Sequence, residues 1–600
     1  MTQSRYLPRF TEALSVILLI LAFLTIQTLI GGTRLLFSLP GYAIVALVGL
    51  LSLFSLRRPK PSPDWLCLGA TALFLGYVLV RALFSPVDYL ARSDIYSVVA
   101  GLVVYFCVAS VLTHSKWRMT IFLCLLGFAL VHVVVGGLQF RDGENFMPIS
   151  FLQRYDYGRR ASGLYVCPNH LAGLLEVLAV FGLSIICWSR WSRWLKLLIG
   201  YAVAVCYLGV ALTGSRGGYL STVASVICFA GLSLLLLWQA PRRLFWTFAI
   251  PSGLLALLLA GAVVFFIQRN DVLSERANNV FDVGNMRFDL WKAALQQWNL
   301  QPVFGTGSGT YLYYGRQFRT DRVQIDPVYV HNDYLQLLAE YGVIACVLLI
   351  LFLAVHLRNG WKNFARLGPN RVGRSQRLLS NGMALQIGAI SAVVAYLVHS
   401  VFDFNLHIPA NLLLMAFVFG ILANPGPIGA GKPEAARGAA LLWRLPAPAL
   451  AIVICVQCVR FLPGEYYTEK ARTALRDYDP GAAIHFGLEG LKWERRNPDL
   501  YQYLGSAQLD QADELTDPAA RASMYEAAVD TFNRGRAVAP REKSFAMALG
   551  MAYDELGRFP EGEWMLDEAL SLDPKFAPAK DVYQEHLRLW RGEKRTAAEQ

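Results

Sequence analysis

Thirteen apolar runs, most of them about 20 residues long, decide what this chain can become. They lie near 11–30, 35–56, 65–84, 95–113, 118–140, 169–188, 195–213, 217–239, 244–267, 334–356, 381–401, 408–424 and 441–462. A helix of that length rises about 30 Å, the thickness of a bilayer's hydrocarbon core. In lipid the backbone must satisfy its own hydrogen bonds, and a helix does so within each segment. The expected fold class is therefore all-α: a polytopic membrane helical bundle of about 12–13 spans, with a long outward loop and a C-terminal helical repeat part. Composition agrees, since 55% of the 600 residues are hydrophobic and the mean hydropathy is +0.40.

The net charge of +12 suggests nucleic acid only until its distribution is read. With the N-terminus placed in the cytoplasm, one side receives Arg57-Arg58 with Lys60, Lys116 with Arg118, and Arg190 with Arg193 and Lys196. It also receives Arg242-Arg243 and the group Arg358, Lys362, Arg366, Arg371, Arg374 and Arg377. Short basic clusters confined to one side follow the positive-inside rule, and no nucleic-acid partner is expected. The ten cysteines sit almost entirely inside apolar runs, with neither metal spacing nor a disulfide framework. The first apolar run, Leu14 to Ile30, has the length of a span and lacks a cleavage site, so it is expected to remain as one.

The same alternation sends the polar loop 268–332, and everything after the last span, outward. A loop this long is not a mere connection. Its aromatics, Tyr311, Tyr313, Tyr314, Phe318 and Tyr329, argue against disorder. It is expected to be the working part of a membrane enzyme. Residues 465–600 are polar and helical in pattern. From Ala546 to Pro574 they show Leu549-Gly550, Tyr553, Gly557, Phe559 and Ala569, with Pro540 placed 34 residues before Pro574. This resembles the tetratricopeptide repeat, in which small residues let paired helices pack closely. A less regular copy covers Tyr501 to Pro540, with Gly505 at the equivalent position, and 465–495 and 575–592 are expected to cap the array. Contact with protein partners is the expected role.

Outward basic residues stand out because topology does not require them. Arg216 lies in Gly214-Ser215-Arg216-Gly217-Gly218 at the mouth of the eighth run. An arginine at the hydrocarbon boundary is either paired and functional or snorkels to the interface. Arg159-Arg160 precede Pro168-Asn169-His170, which open the sixth run, and Arg287 stands in the loop near Trp291. The sixth, eighth and tenth runs all start on the outer face. Helix N-termini carry unpaired N–H groups and partial positive charge, which suit phosphate. Asn169-His170, Ser215-Arg216 and His331-Asn332 mark those three ends, so a phosphate or diphosphate lipid headgroup is the expected ligand if they are neighbours. His331 is the candidate for proton chemistry. His399 and Asp403, at the outer end of the eleventh run, form either a hydrogen-bonded clasp or part of the site. His170, His331 and Asp403 lack local metal-ligand spacing, and no metal is expected.

These residues resemble a family. His331-Asn332 followed by Gly342 is similar to the histidine motif of the O-antigen ligase and polymerase superfamily, although Ala345 stands where that pattern has Gly, Thr or Tyr. Arg160 with Pro168-Asn169-His170-Leu171-Ala172-Gly173, Gly214-Ser215-Arg216-Gly217-Gly218, Arg287 with Trp291, and Gly305-Thr306-Gly307 also look like its landmarks, in the family's order. The resemblance covers about residues 95–425 and divides the chain. Residues 1–94 are N-terminal spans and 95–425 the membrane core with its loop 268–332; a loop and last span fill 426–464, and repeats fill 465–600. It implies a metal-independent, inverting glycosyltransferase in the bacterial inner membrane, with loop and repeats in the periplasm. The donor implied is a glycan on undecaprenyl diphosphate. The acceptor is lipid A–core, another lipid-linked glycan or a protein hydroxyl. No cofactor and no nucleotide sugar is implied.

The mechanism expected has Arg216, Arg287 and Arg160 on the diphosphate and His331 on the acceptor hydroxyl. Asn169, His170, Asn332, His399 and Asp403 complete the substrate-binding set. A lipopolysaccharide ligase, a Wzy-type O-antigen or exopolysaccharide polymerase and a protein O-oligosaccharyltransferase share these motifs. Outside enzymes, a lipid-linked glycan transporter is the alternative, but such proteins usually carry internal repeats and broken helices, and neither is legible. A scaffold working only through its repeats leaves the outward arginines unexplained. The topology is testable: a reporter active only outside the cytoplasm should work when fused after Gly464 and fail within 366–377. The opposite pattern inverts the assignment.

Overall fold

The computed structural model describes residues 3–56, 60–152, 154–238, 286–367, 379–426 and 443–599, with Trp246, Gly261, Gln268, Arg269 and Ser274. All of the run expected at 244–267 except Trp246 and Gly261, and the basic residues at 57–58, 242–243, 371, 374 and 377, lie outside the described residues.

Among the described residues the chain is helical, apart from a single β-bridge between Ile30 and Tyr165. Eleven helices among the described residues are long and apolar enough to cross a membrane. The first eight are α1 (Gln3–Thr28), α2 (Leu35–Leu51), α3 (Trp65–Leu83), α4 (Asp88–Ser110), α5 (Ser115–Asp142), α6 (Pro168–Trp188), α7 (Arg193–Thr213) and α8 (Arg216–Trp238). Two short helices of the polar loop follow, α9 (Arg287–Trp298) and α10 (Tyr311–Gln317). Then come the spans α11 (Asp333–Leu367) and α12 (Asn381–Phe402), and a shorter apolar helix, α13 (Pro409–Ala423). The last span, α14 (Pro446–Arg476), continues without interruption past residue 464 into the repeat part.

Local chemistry sets these ends. Asp64 caps α3, accepting from Leu66 N at 3.0 Å, and proline opens α6, α13 and α14 at a position where no N–H is needed. Gly214, left-handed at φ 58°, stops α7, and the Ser215 hydroxyl, accepting from Gly218 N at 3.2 Å, starts α8 two residues later. Helices α4, α6 and α12 are the most enclosed of the spans. The outward stripes, such as Trp194, Leu197, Leu198 and Tyr201 on α7, are bare apolar surface that suits lipid rather than water.

At the end of the bundle away from the arginine-rich face, Arg118 has a second role that its place in a basic cluster hides. Fully buried, it donates to the carbonyls of Val108 and Leu112 at 2.8 Å and of Asn424 at 2.6 Å. These are chain ends leaving α4 and α13 whose carbonyls would otherwise lack partners.

Six helices complete the repeat part: α15 (Pro480–Trp493), α16 (Pro498–Glu514), α17 (Pro518–Val538), α18 (Lys543–Glu555), α19 (Phe559–Leu572) and α20 (Ala577–Glu599). The end of α14 pairs with α15, α16 with α17, and α18 with α19, so the stretch expected as a cap forms a helix pair like the others. Gly505 and Gly550 do equivalent work in successive pairs. A Cβ on either would lie 2.5 Å from Phe532 or Leu566 across the helix crossing. The array has its own core of Leu500, Leu504, Phe532, Phe545 and Leu549.

The array is also docked on the polar loop through buried charge. Arg316 pairs with Glu542 at 3.1 Å, and Arg319 with Asp326 at 2.6 Å and Asp573 at 2.8 Å. Lys543 reaches Asp326 at 2.9 Å and Asp573 at 2.5 Å, with its ammonium 3.2 Å from the Phe576 ring centroid. A further buried pair, Arg92 with Glu494, ties α4 to the end of α15. Removing one member of such a network strands the others and costs about 3–5 kcal/mol. Lys543→Ala should therefore loosen residues 311–327, seen as faster backbone hydrogen exchange there in the full-length protein. Unchanged protection in that segment would mean the repeats do not hold the loop.

Candidate functional site

Helices α6, α8 and α11 start, and α12 ends, on one face of the bundle. Directly after α12 stands Asp403, 1% exposed, and its carboxylate gathers the face together. Asn169, from the first turn of α6, donates its amide to Oδ2. Arg287, the first residue of α9, lies 3.4 Å from the same oxygen. His331 places Nδ1 3.3 Å from Oδ1, which also accepts Phe404 N at 2.9 Å. Burial opposes ionisation of this carboxyl, but the His331 hydrogen bond and the charges of His331 and Arg287 outweigh it and hold it far below the usual carboxylate range. Asp403 is thus a fixed anion that orients a histidine and an arginine.

Asn169 extends the chain of contacts. Its Oδ1 accepts from Arg160 at 2.9 Å, and Arg160 Nε donates to the Thr213 carbonyl, also at 2.9 Å, at the end of α7. Arg160, Asn169, Asp403, Arg287 and His331 therefore form one hydrogen-bonded series. Arg216 opens α8 on the same face and is partly exposed.

His331 is held in an unusual backbone state. Its φ is +56°, left-handed for a residue with a side chain. Such strain persists only where surroundings over-determine it, and it gathers at functional sites. Trp291 Nε1 donates to the His331 carbonyl at 3.4 Å, and the next residue, Asn332, caps α11 by accepting from the N–H groups of Tyr334 and Leu335, each at 3.0 Å. The imidazole meets the Phe404 ring edge-on at 4.7 Å between centroids. About a third of its side chain stays open (32%).

Not every expected residue joins the series. His170 is buried against Phe404, centroids 5.0 Å apart, and neither ring nitrogen has a hydrogen-bond partner. His399 does not pair with the Asp403 carboxylate. It is fully buried, with Nδ1 3.0 Å from Glu176 Oε1. The sequence reading passed over Glu176, although one acid in an otherwise apolar span is a functional signal by default. It also gave no site role to Phe404 and Tyr329, which stack with centroids 4.4 Å apart, Phe404 meeting the His331 ring. Among the described residues no three His, Cys, Asp or Glu side chains converge as metal ligands.

The two glycine landmarks have one physical cause. Helix α11 is broken at Gly342, where φ is 73° and ψ −175°, a feature not legible in the sequence. The chain around Gly305 fills the break. Thr306 and Gly307 donate to the carbonyls of Ala339 and Glu340 at 3.1 and 2.9 Å. In return Val343 and Ile344 donate to Pro302 and Val303 at 3.0 and 3.4 Å. A Cβ at Gly305 or Gly342 would fall 2.3 or 2.2 Å from opposing backbone. This exchange fixes the first turns of α11, and with them His331, to the loop.

A second charged cluster supports the same corner. His407 Nδ1 is 3.1 Å from Asp333 Oδ1, its Nε2 faces Asp94 at 3.9 Å, and Asp94 accepts from Ser308 and Tyr341 hydroxyls at 2.7 Å. Burial disfavours the charged ring, but the Asp333 hydrogen bond and the charges of Asp94, Asp333 and Glu340 prevail and raise it to about 9.

Residues 201–350 match the family model described as O-antigen ligase. The match runs from α7 to just past the break in α11, so it holds Arg216, Arg287 and His331, while Arg160, Asn169 and Asp403 reach the site from outside it. The chain is thus a multi-pass membrane protein, a quarter of which is similar to that family model. No curated protein matches. Among solved structures, the protein is similar to a thermophilic TPR protein of Thermus thermophilus, at 22% identity with a TM-score of 0.20, over 27% of this chain and 88% of that one.

The His407 cluster gives a pH test. A histidine raised from its ordinary value of about 6.5 stabilises fully below that pH, and the contribution disappears as pH rises through about 9. The unfolding midpoint in detergent should fall between these limits, and His407→Gln should flatten that part of the profile. The same fall in the variant would assign it to other groups.

Proposed function

We propose that the protein transfers a glycan from undecaprenyl diphosphate to an acceptor hydroxyl at the periplasmic face of the bacterial inner membrane, in the manner of a lipopolysaccharide ligase. The observation that carries this reading is the joining of His331 and Arg287 through one buried carboxylate, with Arg160 linked to it by Asn169. Asp403 accepts from Nδ1 and so leaves Nε2 of His331 as the base. The acceptor hydroxyl loses its proton to Nε2 as its oxygen bonds the anomeric carbon. The bond from that carbon to the diphosphate breaks, and the electron pair stays on the phosphate oxygen. Arg216 and Arg287 stabilise the charge that develops there, and Arg160 supports them.

Attack opposite the leaving group inverts the anomeric centre. The activated donor supplies the driving force, so neither a nucleotide sugar nor a metal enters this account. Polymerase and protein oligosaccharyltransferase chemistry use the same step with a different acceptor. The broken helix α11 is a feature of transporters too, but here loop backbone fills the break. Surfaces of the repeats that do not touch the loop are the proposed place for an envelope protein partner.

Purified protein mixed with lipid-linked donor and acceptor should release undecaprenyl diphosphate. Loss of a general base costs about 10²–10⁴-fold in rate, and His331→Ala should fall in that range with donor binding nearly intact. Arg216→Ala and Arg287→Ala should lose donor binding, and lysine should restore it only in part, because it lacks the planar fork. A chelator should leave the rate unchanged. Half the wild-type rate in His331→Ala, or inhibition by chelator reversed by a divalent ion, would overturn the mechanism.

A further inference from the structure

The turn between α9 and α10 exposes apolar side chains and hides its backbone. Leu300, Val303 and Phe304 are all exposed, the last two at 52% and 54%. The carbonyls from Gln301 to Gly305, by contrast, each have a donor within the protein. Gln301 O accepts from Gly305 N at 2.8 Å, and Pro302 O from Val343 N and Trp298 Nε1, each at 3.0 Å. Val303 O accepts from Ile344 N at 3.4 Å. Arg81, in the last turn of α3, donates from Nε to Phe304 O at 3.0 Å and from a terminal nitrogen to Gly305 O at 2.8 Å. A turn in water can leave its carbonyls to the solvent. Hydrocarbon offers no such partner, so non-helical backbone at that depth must be satisfied by protein. Bonded carbonyls with bare apolar side chains meet that demand.

The donors also give the turn its height. Helix α3 has 19 residues, a rise of about 28 Å, and Arg81 is its one charged residue. That length matches a bilayer's hydrocarbon core, so Arg81 stands within a turn of the core's edge, on the side of the candidate site. Exposed apolar side chains flank the turn on both of the spans it bonds to. Leu83 and Phe84 lie at the end of α3, and Val343 and Val347 lie on α11 just past its break. Bare apolar surface on a span suits lipid, and the carbonyls of Val303 and Phe304 tie the turn between these two patches. What covers the spans there covers the turn as well. Asn299 and Gln301 are its exposed polar members and suit the headgroup layer that begins at this height. A soluble partner would meet the protein above the headgroups, whereas these side chains lie level with Arg81.

We propose that Leu300, Val303 and Phe304 form a wedge inserted into the hydrocarbon edge of the leaflet on the site's side, and that its partner is phospholipid acyl chain. The polar loop is then pinned to the membrane at its middle instead of standing clear of it. Insertion sets the height of α9, which ends at Trp298 just before the wedge and begins at Arg287, roughly 16 Å away along the helix. Trp298 fits such a boundary, because its indole N–H is bonded to Pro302 O and its ring is apolar. The guanidinium beside Asp403 is thus carried by a helix anchored in lipid. The break at Gly342 gains a second purpose, since the N–H groups of Val343 and Ile344 let the wedge backbone enter hydrocarbon. This inference goes beyond the glycosyl-transfer reading and does not depend on it.

The test is photocrosslinking of the full-length protein in nanodiscs of phosphatidylethanolamine and phosphatidylglycerol. Phe304→p-benzoylphenylalanine keeps an aromatic ring at the wedge and reacts with neighbouring C–H bonds on illumination. The same replacement at Val347, 58% exposed on a span, and at Trp564, 64% exposed on the repeat helix α19, brackets the result. Position 304 should gain the mass of one phospholipid at a yield like that of 347, and 564 should gain none. A lipid yield at 304 no higher than at 564 overturns the proposal. So does a protein adduct in its place, whether to a second copy, seen as a crosslinked dimer, or to the run 244–267 of the same chain. A second measurement reads the anchoring of α9. Phe304→Asp should speed backbone hydrogen exchange across 287–298 in nanodiscs, while Phe304→Leu should match wild type. A turn exposed to water would tolerate the aspartate, so wild-type exchange in a folded Phe304→Asp also overturns the proposal.

Discussion

A single buried carboxylate, that of Asp403, meets side chains from three separate parts of the chain. Asn169 lies 234 residues away, Arg287 116 and His331 72. An ionised group in a dry environment is tolerated only when its lone pairs are occupied by donors and its charge is balanced. The helix ends must therefore come together in one arrangement: α6 brings the amide, α9 the guanidinium and the left-handed turn before α11 the imidazole. Loss of Arg287 withdraws balancing charge, and loss of Asn169 or His331 withdraws a hydrogen-bond donor. The same requirement that fixes the fold at this face fixes the orientation of its histidine and arginine.

Backbone exchange does the complementary work a few ångströms away. Breaking α11 at Gly342 frees carbonyls and N–H groups that would be costly in a membrane, and the segment around Gly305 satisfies them. The polar loop is therefore anchored to a span by main-chain hydrogen bonds at one end. At the other it is anchored to the repeat array by Arg316, Arg319 and Lys543 with their acids. The repeats are not a detached appendage. Through Tyr311, whose hydroxyl donates to the Leu290 carbonyl at 3.1 Å, the docked helix α10 touches the helix that begins with Arg287.

The class of fold was plain from the length and number of apolar runs, because that pattern has few other physical uses. The gathering of the helix starts of α6, α8 and α11 on one face followed from counting spans and placing basic clusters. The residues at those starts were legible for the same reason: polar groups at a membrane boundary have no cheap structural excuse. Pairing was not legible. Nothing in local sequence says that Asp403 takes His331 while His399 takes Glu176, since contact between distant segments depends on helix rotation and register. Phe404, which packs against both His170 and His331, carries no local signal at all. Glu176 did carry one, as a single acid within an apolar run. The break in α11 was invisible because Gly342 sits in a sequence that reads as continuous helix, and only its partner at Gly305 reveals why a glycine is needed. Arg118 carries a role its sequence context does not show, since it reads as a topology signal and also serves as a cap for chain ends.

The central claim is that this face binds a lipid diphosphate between the starts of α6 and α8 and sets His331 on the sugar side. The most direct measurement is an electron cryomicroscopy structure of the protein with a non-transferable undecaprenyl-diphosphate glycan analogue. The account predicts phosphate oxygens within hydrogen-bonding distance of Arg216 and Arg287, and His331 Nε2 facing the anomeric carbon from the side opposite the diphosphate. A diphosphate bound on another face of the bundle, or with His331 on the same side as the leaving group, would contradict it.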